Sequence, residues 1–301
     1  MGGADIIPGV SGGTMALILG IYERLVTAIS HFDLTLLGHL RRREWTGAAE
    51  HVDLRFLVAL GAGILTGVVS LATLMNYLLE RQLQPTLAVF FGLILGSSVL
   101  VARSIGRWNL SHGVFAVGGA AFAAWLVVQP FMSGREGYDY LFLCGMVAIC
   151  AMILPGISGA FILLIMGKYE HVTGVIRSLV HGSVTLENML VLVVFAAGCG
   201  IGLLSFSKFL RWLLARYRPQ TMAVLCGFMV GSLRRIWPFK ALPASGEAID
   251  LRHAQVENIW PGTLDAQVVL AIALALAAIA FVLALDRLTQ QTKKGTGAYI
   301  G

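Results

Sequence analysis

Charged side chains are scarce in this chain of 301 residues. Only 13% of the residues are Asp, Glu, Lys or Arg, whereas 57% are hydrophobic and the mean hydropathy is +0.80. A chain of this length cannot bury so much apolar surface inside a water-soluble globule. The composition therefore excludes an ordinary soluble domain and indicates an integral membrane protein.

Metal-binding and nucleotide-binding motifs are also missing. The four cysteines lie in apolar runs without a CxxC pair, and the seven histidines show neither HExxH nor another paired metal spacing. We interpret the cysteines as buried, inert thiols and the histidines as loop and interface residues. The sequence contains no Walker A motif and no nucleophile elbow. We therefore expect no catalytic residue, no metal and no cofactor.

Basic residues outnumber acidic ones by 22 to 16, which gives a formal net charge of +6. They lie between apolar segments rather than on one face, so nucleic acid is not an expected partner. They are better explained as topology determinants beside anionic lipid headgroups. If the arginine-rich segment 31–55 is cytoplasmic, the basic residues at 103–107, 211–218 and 293–294 lie on the same side.

Several segments are long and apolar enough to cross a bilayer, or nearly so. The run 139–154 stops at Pro155, and only 160–166 follows before Gly167, which predicts a short helix, a kink and a half-helix. We expect an all-α polytopic membrane protein, with one transmembrane domain over residues 1–301. The predicted spans are about 54–80, 86–102, 112–132, 189–215 and 267–285, with a shorter sixth at about 220–237.

The most informative feature is an internal repeat. ADIIPGVSGGTMALILGIYE at 4–23 returns as AMILPGISGAFILLIMGKYE at 151–170, with 11 of 20 positions identical. Residues 63–97 also match 198–232, with 12 of 35 positions identical. The GxxxG patterns in this second match predict close helix packing, and they also allow a homo-oligomer. We divide the chain into a first repeat, 1–132, and a second repeat, 133–301.

Each copy of the motif places a Pro-Gly-x-Ser-Gly break inside an apolar stretch, where broken backbone is costly unless it lines a cavity. If each motif enters and leaves on one side, three crossings separate the copies and the repeats are inverted. A motif that crosses fully would make them parallel. Because inverted repeats bring the two breaks together, we favour re-entrant helical hairpins, each with about three transmembrane helices. The structural breakers are Pro8, Gly9, Pro155 and Gly156.

The residues after each break suggest an anion site. The first N–H groups of a helix lack internal partners, and glycine lets an anion approach the backbone. We expect the residues from Ser11 to Thr14 to open a half-helix over 15–22, and Ser158 to repeat the arrangement. In a simpler interpretation the prolines only bend a helix and the serines cap it. The candidate headgroup ligands are Ser11, Gly12, Gly13, Thr14, Ser158 and Gly159, with Arg24 and Lys168 as cations.

Three carboxylates beside the motifs are candidates for proton coupling. Asp5 lies three residues before Pro8, and Glu23 and Glu170 belong to a Tyr-Glu pair that recurs in both copies. Alternatively, the glutamates pair with a neighbouring cation (Arg24, Lys168 or His171) or snorkel to the interface.

At GADIIPGVSGGTMALILGIYERL and ILPGISGAFILLIMGKYE the chain resembles a bacterial membrane family, once a domain of unknown function and now described as polyprenyl-phosphate transporters. The resemblance implies that the substrate is undecaprenyl phosphate, the carrier lipid of cell-wall synthesis, returned across the cytoplasmic membrane for reuse. From the inverted repeats we expect this movement to occur by alternating access. Membrane lipid is the other implied partner. Family members usually carry an apolar helix before the first motif, which here begins almost at Met1. The family motif falls on Asp5, Pro8, Gly9, Ser11, Gly12, Gly13 and Thr14, and then on Pro155, Gly156, Ser158 and Gly159.

Two other classes of function remain as alternatives. Intramembrane undecaprenyl pyrophosphate phosphatases also have inverted repeats and a Pro-Gly-x-Ser segment. Their serine is followed by Arg-Ser, and they carry an ExxxE run for metal; this chain has Gly12-Gly13 and no such run. The second alternative is an ion or small-solute carrier.

Overall fold

The structure is a computed structural model that describes residues 1–2, 11–130, 134–180, 182, 185–241 and 257–296. Throughout these residues the regular structure is helical, apart from one backbone bridge between Lys240 and Asn258. The prediction of an all-α protein is therefore confirmed. In chain order the helices are α1 Gly12–Ile18, α2 Tyr22–Ser30, α3 Leu34–Arg41, α4 Trp45–His51, α5 Leu54–Arg81, α6 Leu83–Ser104, α7 Leu110–Leu126, α8 Tyr138–Ile153, α9 Gly159–Ile165, α10 Tyr169–Val180, α11 Leu186–Arg216, α12 Arg218–Ser232 and α13 Ala266–Thr296.

Among the described residues, four helices are long and apolar enough to span a membrane: α5, α6, α11 and the Ala266–Arg287 part of α13. A fifth candidate is the pair of α9 and α10, which is bent by 114° at its break. The chain is thus a multi-pass membrane protein. The predicted spans 112–132 and 220–237 are not among these candidates, because α7 ends at Leu126 and α12 ends at Ser232.

The described part of the first motif copy folds like the corresponding part of the second. Helices α1 and α9 each have seven residues and start 147 positions apart, as the sequence repeat does. Each is followed by a glycine with positive φ, 68° at Gly20 and 66° at Gly167, a conformation that side chains other than glycine rarely adopt. The half-helix expected over 15–22 is therefore wrong in its bounds. It begins at Gly12 and ends at Ile18, because Gly20 turns the chain before Tyr22 starts α2.

In the second copy α9 runs back along α8. A Cβ placed on Gly159 would lie 2.6 Å from the carbonyl oxygen of Ala148, close to the C-terminal end of α8. At the other end of α9, the Tyr140 hydroxyl donates to the Met166 carbonyl at 3.0 Å. The two helices are therefore antiparallel, and the Pro155-Gly156 break forms the turn that joins them.

The described chain divides into two compact units that do not follow the sequence repeats. One unit combines Met1–Ala72 with Val128–Arg218, and the other combines Thr73–Val127 with Pro219–Gly301. In the first unit α11 packs along α8 and α2, and in the second α13 packs along α6. Each unit therefore contains segments from both halves of the sequence.

Glycines of the GxxxG patterns allow close helix packing, as the sequence predicts. A Cβ placed on Gly198 would overlap the Phe142 carbonyl of α8. A Cβ on Gly227 would overlap the Ala116 carbonyl of α7, and a Cβ on Gly92 would overlap the Ala275 carbonyl of α13. Gly63, the repeat counterpart of Gly198, differs because no described atom lies within 4 Å of such a Cβ.

This difference predicts opposite effects for the same substitution at two equivalent positions. We expect Gly198→Ala to destabilise the protein by about 1–3 kcal/mol, because the new methyl group overlaps backbone of α8. Gly63→Ala should be neutral or stabilise by up to about 1 kcal/mol, because alanine is the better helix former. Thermal unfolding of the two purified variants in detergent checks this. Equal losses in melting temperature would contradict the packing described here.

Candidate functional site

Ser11 and Thr14 of the first motif meet the break of the second motif within the first unit. The Gly156 N–H donates to Thr14 Oγ1 at 2.8 Å and to Ser11 Oγ at 3.3 Å. In return the Ser11 hydroxyl donates to the Leu154 carbonyl at 3.2 Å. Residues separated by about 145 positions are thus joined, and on the second half the contact lies at the Pro155-Gly156 break. The predicted breakers Pro8 and Gly9, and the carboxylate Asp5, lie outside the described residues.

This contact, which we call the Ser11–Gly156 contact, is closed to bulk solvent. Ser11 is 2% exposed and Thr14 is fully buried. Gly13 brings the backbones together, since a Cβ there would lie 2.5 Å from the Ile153 carbonyl. Buried hydroxyl and amide groups must be hydrogen-bonded to be tolerated, and here they satisfy one another.

The side chains of the two repeated serines differ in their hydrogen bonds. Ser11 caps α1, because its hydroxyl oxygen accepts the Thr14 N–H at 3.3 Å, as the simpler interpretation expects. Ser158 occupies the same position before α9 and has extended backbone, but its side chain makes no capping hydrogen bond. It is half-buried, and its hydroxyl has no hydrogen-bond partner among the described residues. Capping therefore explains only one of the two serines, and the Ser158 hydroxyl is available to a ligand.

Lys168 follows the C-terminal end of α9, whereas Ser158 and Gly159 lie at its start, and the seven residues of α9 span about 10 Å at 1.5 Å per residue. Lys168 is only 8% exposed, and no described carboxylate forms an ion pair with it. The nearby Met166 carbonyl accepts a hydrogen bond from the Tyr140 hydroxyl, which places this end of α9 beside the start of α8. The structure therefore does not bring Lys168 to the Ser11–Gly156 contact, but it does leave a buried cation without an acidic partner in the described part of the chain.

The remaining predicted cation has a partner elsewhere. Arg24 is exposed and forms a bidentate ion pair with Asp53, at 2.6 and 3.1 Å, while its guanidinium lies 4.4 Å from the centre of the Phe56 ring. The hydrogen bond from Arg24 holds the pKa of Asp53 below its ordinary value. Arg24 is thus placed to brace the start of α5, and the geometry gives no support to its predicted role at the headgroup.

The two repeated glutamates also differ. Glu23 pairs with Arg218 at 2.9 Å, so its predicted pairing with Arg24, Lys168 or His171 is wrong. The partner could not be read from the sequence, because 195 residues separate the two. Glu170 is exposed in the first turn of α10 and forms no ion pair with a described residue.

Two buried polar groups were missed in the sequence. The Tyr22 hydroxyl and His112 Nδ1 are both buried without a hydrogen-bond partner among the described residues. His112 lies in the first turn of α7 and is buried, so it is not a loop residue. The recurrence of tyrosine at the same place in both motifs, Tyr22 and Tyr169, is a signal that could have drawn attention to the hydroxyl.

Three histidine rings from the segment between α2 and α5 lie close to one another. The rings of His31 and His51 stack with centroids 4.6 Å apart, and the ring of His39 lies 5.9 Å from that of His51. His51 Nε2 contacts the Asp33 carboxylate at 3.1 Å. Over the described residues, however, no three His, Cys, Asp or Glu side chains form a group that could hold a metal ion.

Comparison with known proteins gives two relatives. A polyprenyl-phosphate transporter of Vibrio cholerae serotype O1 is 39% identical over 299 residues, which cover 97% of this chain and 94% of the relative. A polyprenyl-phosphate transporter of Staphylococcus aureus is 33% identical over 254 residues, which cover 79% of this chain and 83% of the relative. Both relatives are named as transporters and not as enzymes. No solved structure matches the chain.

The sequence model of one protein family, described as VCA0040-like, undecaprenyl phosphate translocase-like, matches residues 1–249. This range includes both motif breaks and every residue of the Ser11–Gly156 contact. The resemblance inferred from the motifs is therefore confirmed over most of the chain: the protein belongs to the undecaprenyl phosphate translocase-like family.

Proposed function

We propose that this protein is a transporter that moves the phosphate headgroup of undecaprenyl phosphate across the bacterial cytoplasmic membrane. The observation that carries the proposal is the Ser11–Gly156 contact, in which polar groups from both motif breaks meet inside an apolar protein. The names of the two relatives support polyprenyl phosphate as the substrate. The carrier lipid would thereby be returned for the synthesis of envelope polymers.

The chemistry of the contact suits a phosphate group. Hydroxyl groups donate as well as accept hydrogen bonds, so the Ser11 and Thr14 hydroxyls can turn from the backbone of the second motif to a phosphoryl oxygen. The Gly156 N–H would then donate to the same oxygen, and the Ser158 hydroxyl is available beside it. Gly13 and Gly159 let the Ile153 and Ala148 carbonyls approach the backbone closely, which brings together the chain segments that carry these donors. Neutral donors of this kind stabilise the charge without a permanent ion pair.

We propose that the α8–α9 hairpin is re-entrant and that the two repeats have inverted topology. Support comes from the antiparallel course of α9 along α8 and from the equal lengths and turns of α1 and α9. In this arrangement the Pro155-Gly156 turn lies deep in the membrane and Lys168 lies at the open end of the hairpin. Lys168 would attract the headgroup before it reaches the turn. One repeat moving against the other then gives alternating access.

Only the charged headgroup of the lipid needs the protein to cross the hydrocarbon core. A phosphate monoester carries one to two negative charges and cannot cross hydrocarbon unaided, whereas the prenyl chain can stay in lipid. We therefore propose a groove open to the bilayer along its length.

Asp5, Glu23 and Glu170 remain our candidates for proton coupling, and among them Glu170 is the exposed residue without an ion pair in the described part of the chain.

Translocation in proteoliposomes tests the proposal. A fluorescent undecaprenyl phosphate, quenched from one side by an impermeant reagent, should be moved by the protein and not by empty vesicles. We expect Ser158→Ala to slow this movement several-fold, whereas Ser205→Ala should match wild type, because Ser205 is exposed and bonds only within its own helix. Release of phosphate from undecaprenyl pyrophosphate would favour the phosphatase instead. Conductance that is independent of lipid substrate would favour the ion carrier.

A further inference from the structure

We propose that a pocket formed wholly within the second unit binds a phosphate group through Lys240. The pocket has a volume of about 200 Å³ and lies where α6 and α13 begin and α12 has ended. Its lining includes Lys240, Phe239, Gly262, Thr263 and Asp265. Because spanning helices start at this level, the pocket lies at the boundary between lipid and water. The proposal goes beyond transport and does not depend on it.

Lys240 is held in place by its neighbours. Its ammonium group donates to the Arg235 carbonyl at 3.0 Å and to Asn258 Oδ1 at 2.6 Å. The backbone around it is fixed by two hydrogen bonds, from Ala241 N to Glu257 O at 2.9 Å and from Ile259 N to Phe239 O at 3.1 Å. An ammonium group has three N–H donors, so one remains for a ligand in the pocket that Lys240 lines.

The surroundings of Lys240 disfavour its positive charge. Burial, and then the positive charge of Arg235, lowers the pKa of Lys240 to about 8. No described carboxylate forms an ion pair with Lys240. Asp265 lines the same pocket, but its Oδ1 accepts the Val268 N–H at 2.9 Å and so caps α13. An anion beside Lys240 would offset both the loss of hydration and the repulsion by Arg235.

Aromatic side chains beside Lys240 pack against one another and make this wall of the pocket rigid. The Trp237 ring packs edge-on against Trp260, with centroids 4.9 Å apart, and against Phe91 and Phe239 at 5.6 and 5.8 Å. The Trp237 indole N–H also donates to the Ile259 carbonyl at 3.0 Å. Tryptophan favours the membrane interface, and a rigid wall lowers the entropy lost on binding.

The ligand chemistry that fits is a phosphate group with one or two negative charges, for which lysine is a common point-charge partner. Thr263 lines the pocket and adds a hydroxyl donor. Such a phosphate could belong to the headgroup of a membrane lipid or to inorganic phosphate in the surrounding water. The two sources share the same contact with Lys240 and are separated by experiment.

The test measures binding to the full chain in nanodiscs of phosphatidylcholine by the change in tryptophan fluorescence. One arm titrates inorganic phosphate, and the other compares nanodiscs that contain increasing fractions of phosphatidic acid, a lipid phosphate monoester. We expect Lys240→Met to lower the affinity by on the order of tenfold or more, the loss typical of one charge-assisted hydrogen bond. Lys208→Met, on an exposed part of α11, should bind as wild type does. Binding in the first arm identifies free phosphate as the source, and binding in the second arm alone identifies a lipid headgroup.

A second variant keeps the test valid if Lys240→Met disturbs the fold. A Cβ on Gly262 has no described atom within 4 Å, so Gly262→Leu should fold while it fills the pocket and blocks binding. Absence of binding by wild type in both arms would overturn the proposal. Unchanged affinity in folded Lys240→Met protein would overturn it as well.

Discussion

The double substitution Ser11→Ala with Thr14→Val is expected to lower the rate of polyprenyl phosphate translocation by on the order of tenfold or more. The Gly156 N–H would lose both of its described acceptors, and a headgroup at the break would lose two hydroxyl donors. A buried donor without a partner costs about 1–3 kcal/mol, and each 1.4 kcal/mol corresponds to about tenfold in an equilibrium. The measurement is the initial rate in proteoliposomes, divided by the amount of folded protein.

A structural role alone would give a different result. If the hydroxyls served only to join the motifs, the double variant would melt at a lower temperature but its folded fraction would translocate lipid at the wild-type rate. Thr173→Val provides the matched control, because the Thr173 hydroxyl donates within its own helix to the Tyr169 carbonyl at 2.8 Å. We expect this control to retain both its stability and its translocation rate.

Lys168→Gln is expected to have the second large effect, also on the order of tenfold in translocation rate. Glutamine retains a similar length and can still donate hydrogen bonds, but it removes the buried positive charge that would attract the headgroup. Hydrogen bonds to charged groups contribute about 1.5–3 kcal/mol, roughly twice the value for neutral pairs. The loss should appear mainly as a weaker apparent affinity for the lipid, measured by varying its fraction in the vesicles.

Two further lysine variants show whether charge is the cause. Lys168→Arg retains the positive charge and should recover most of the affinity that Lys168→Gln loses. Lys208→Gln, in which an exposed lysine of α11 is replaced, should leave the affinity unchanged. A wild-type affinity in Lys168→Gln would remove Lys168 from the proposed path of the headgroup.

The sequence predicts the broad fold well, because the apolar spans and the repeat are local patterns. The predicted spans 54–80 and 189–215 correspond to α5 and α11 within three residues at each end. The run 139–154 and its stop at Pro155 correspond to α8 almost residue for residue. The end of α1 was missed, although glycine at both 20 and 167 was a readable signal for a turn. The turn at each position depends on the backbone dihedral φ of the glycine, which no hydropathy pattern records.

The candidate site is less accessible to sequence reasoning. The repeat indicates that Ser11 and Ser158 are equivalent, yet one hydroxyl is buried in a contact and the other has no described partner. This difference arises because α1 packs against the end of α8, a tertiary contact without a periodic signature. The pairing of Glu23 with Arg218 and the gathering of His31, His39 and His51 likewise depend on which helices meet.

The composition of the two compact units has a consequence for biosynthesis. A ribosome that has delivered residues 1–132 has supplied only a fraction of either unit, because each one draws on both halves of the chain. The helices of the first half are therefore in the bilayer before the helices of the second half, against which they pack, have been synthesised. During that interval the face of α6 that carries the glycines is not yet packed against α13. The order of synthesis therefore makes this protein dependent on the surrounding lipid, or on an insertion factor, for protection until translation is nearly complete.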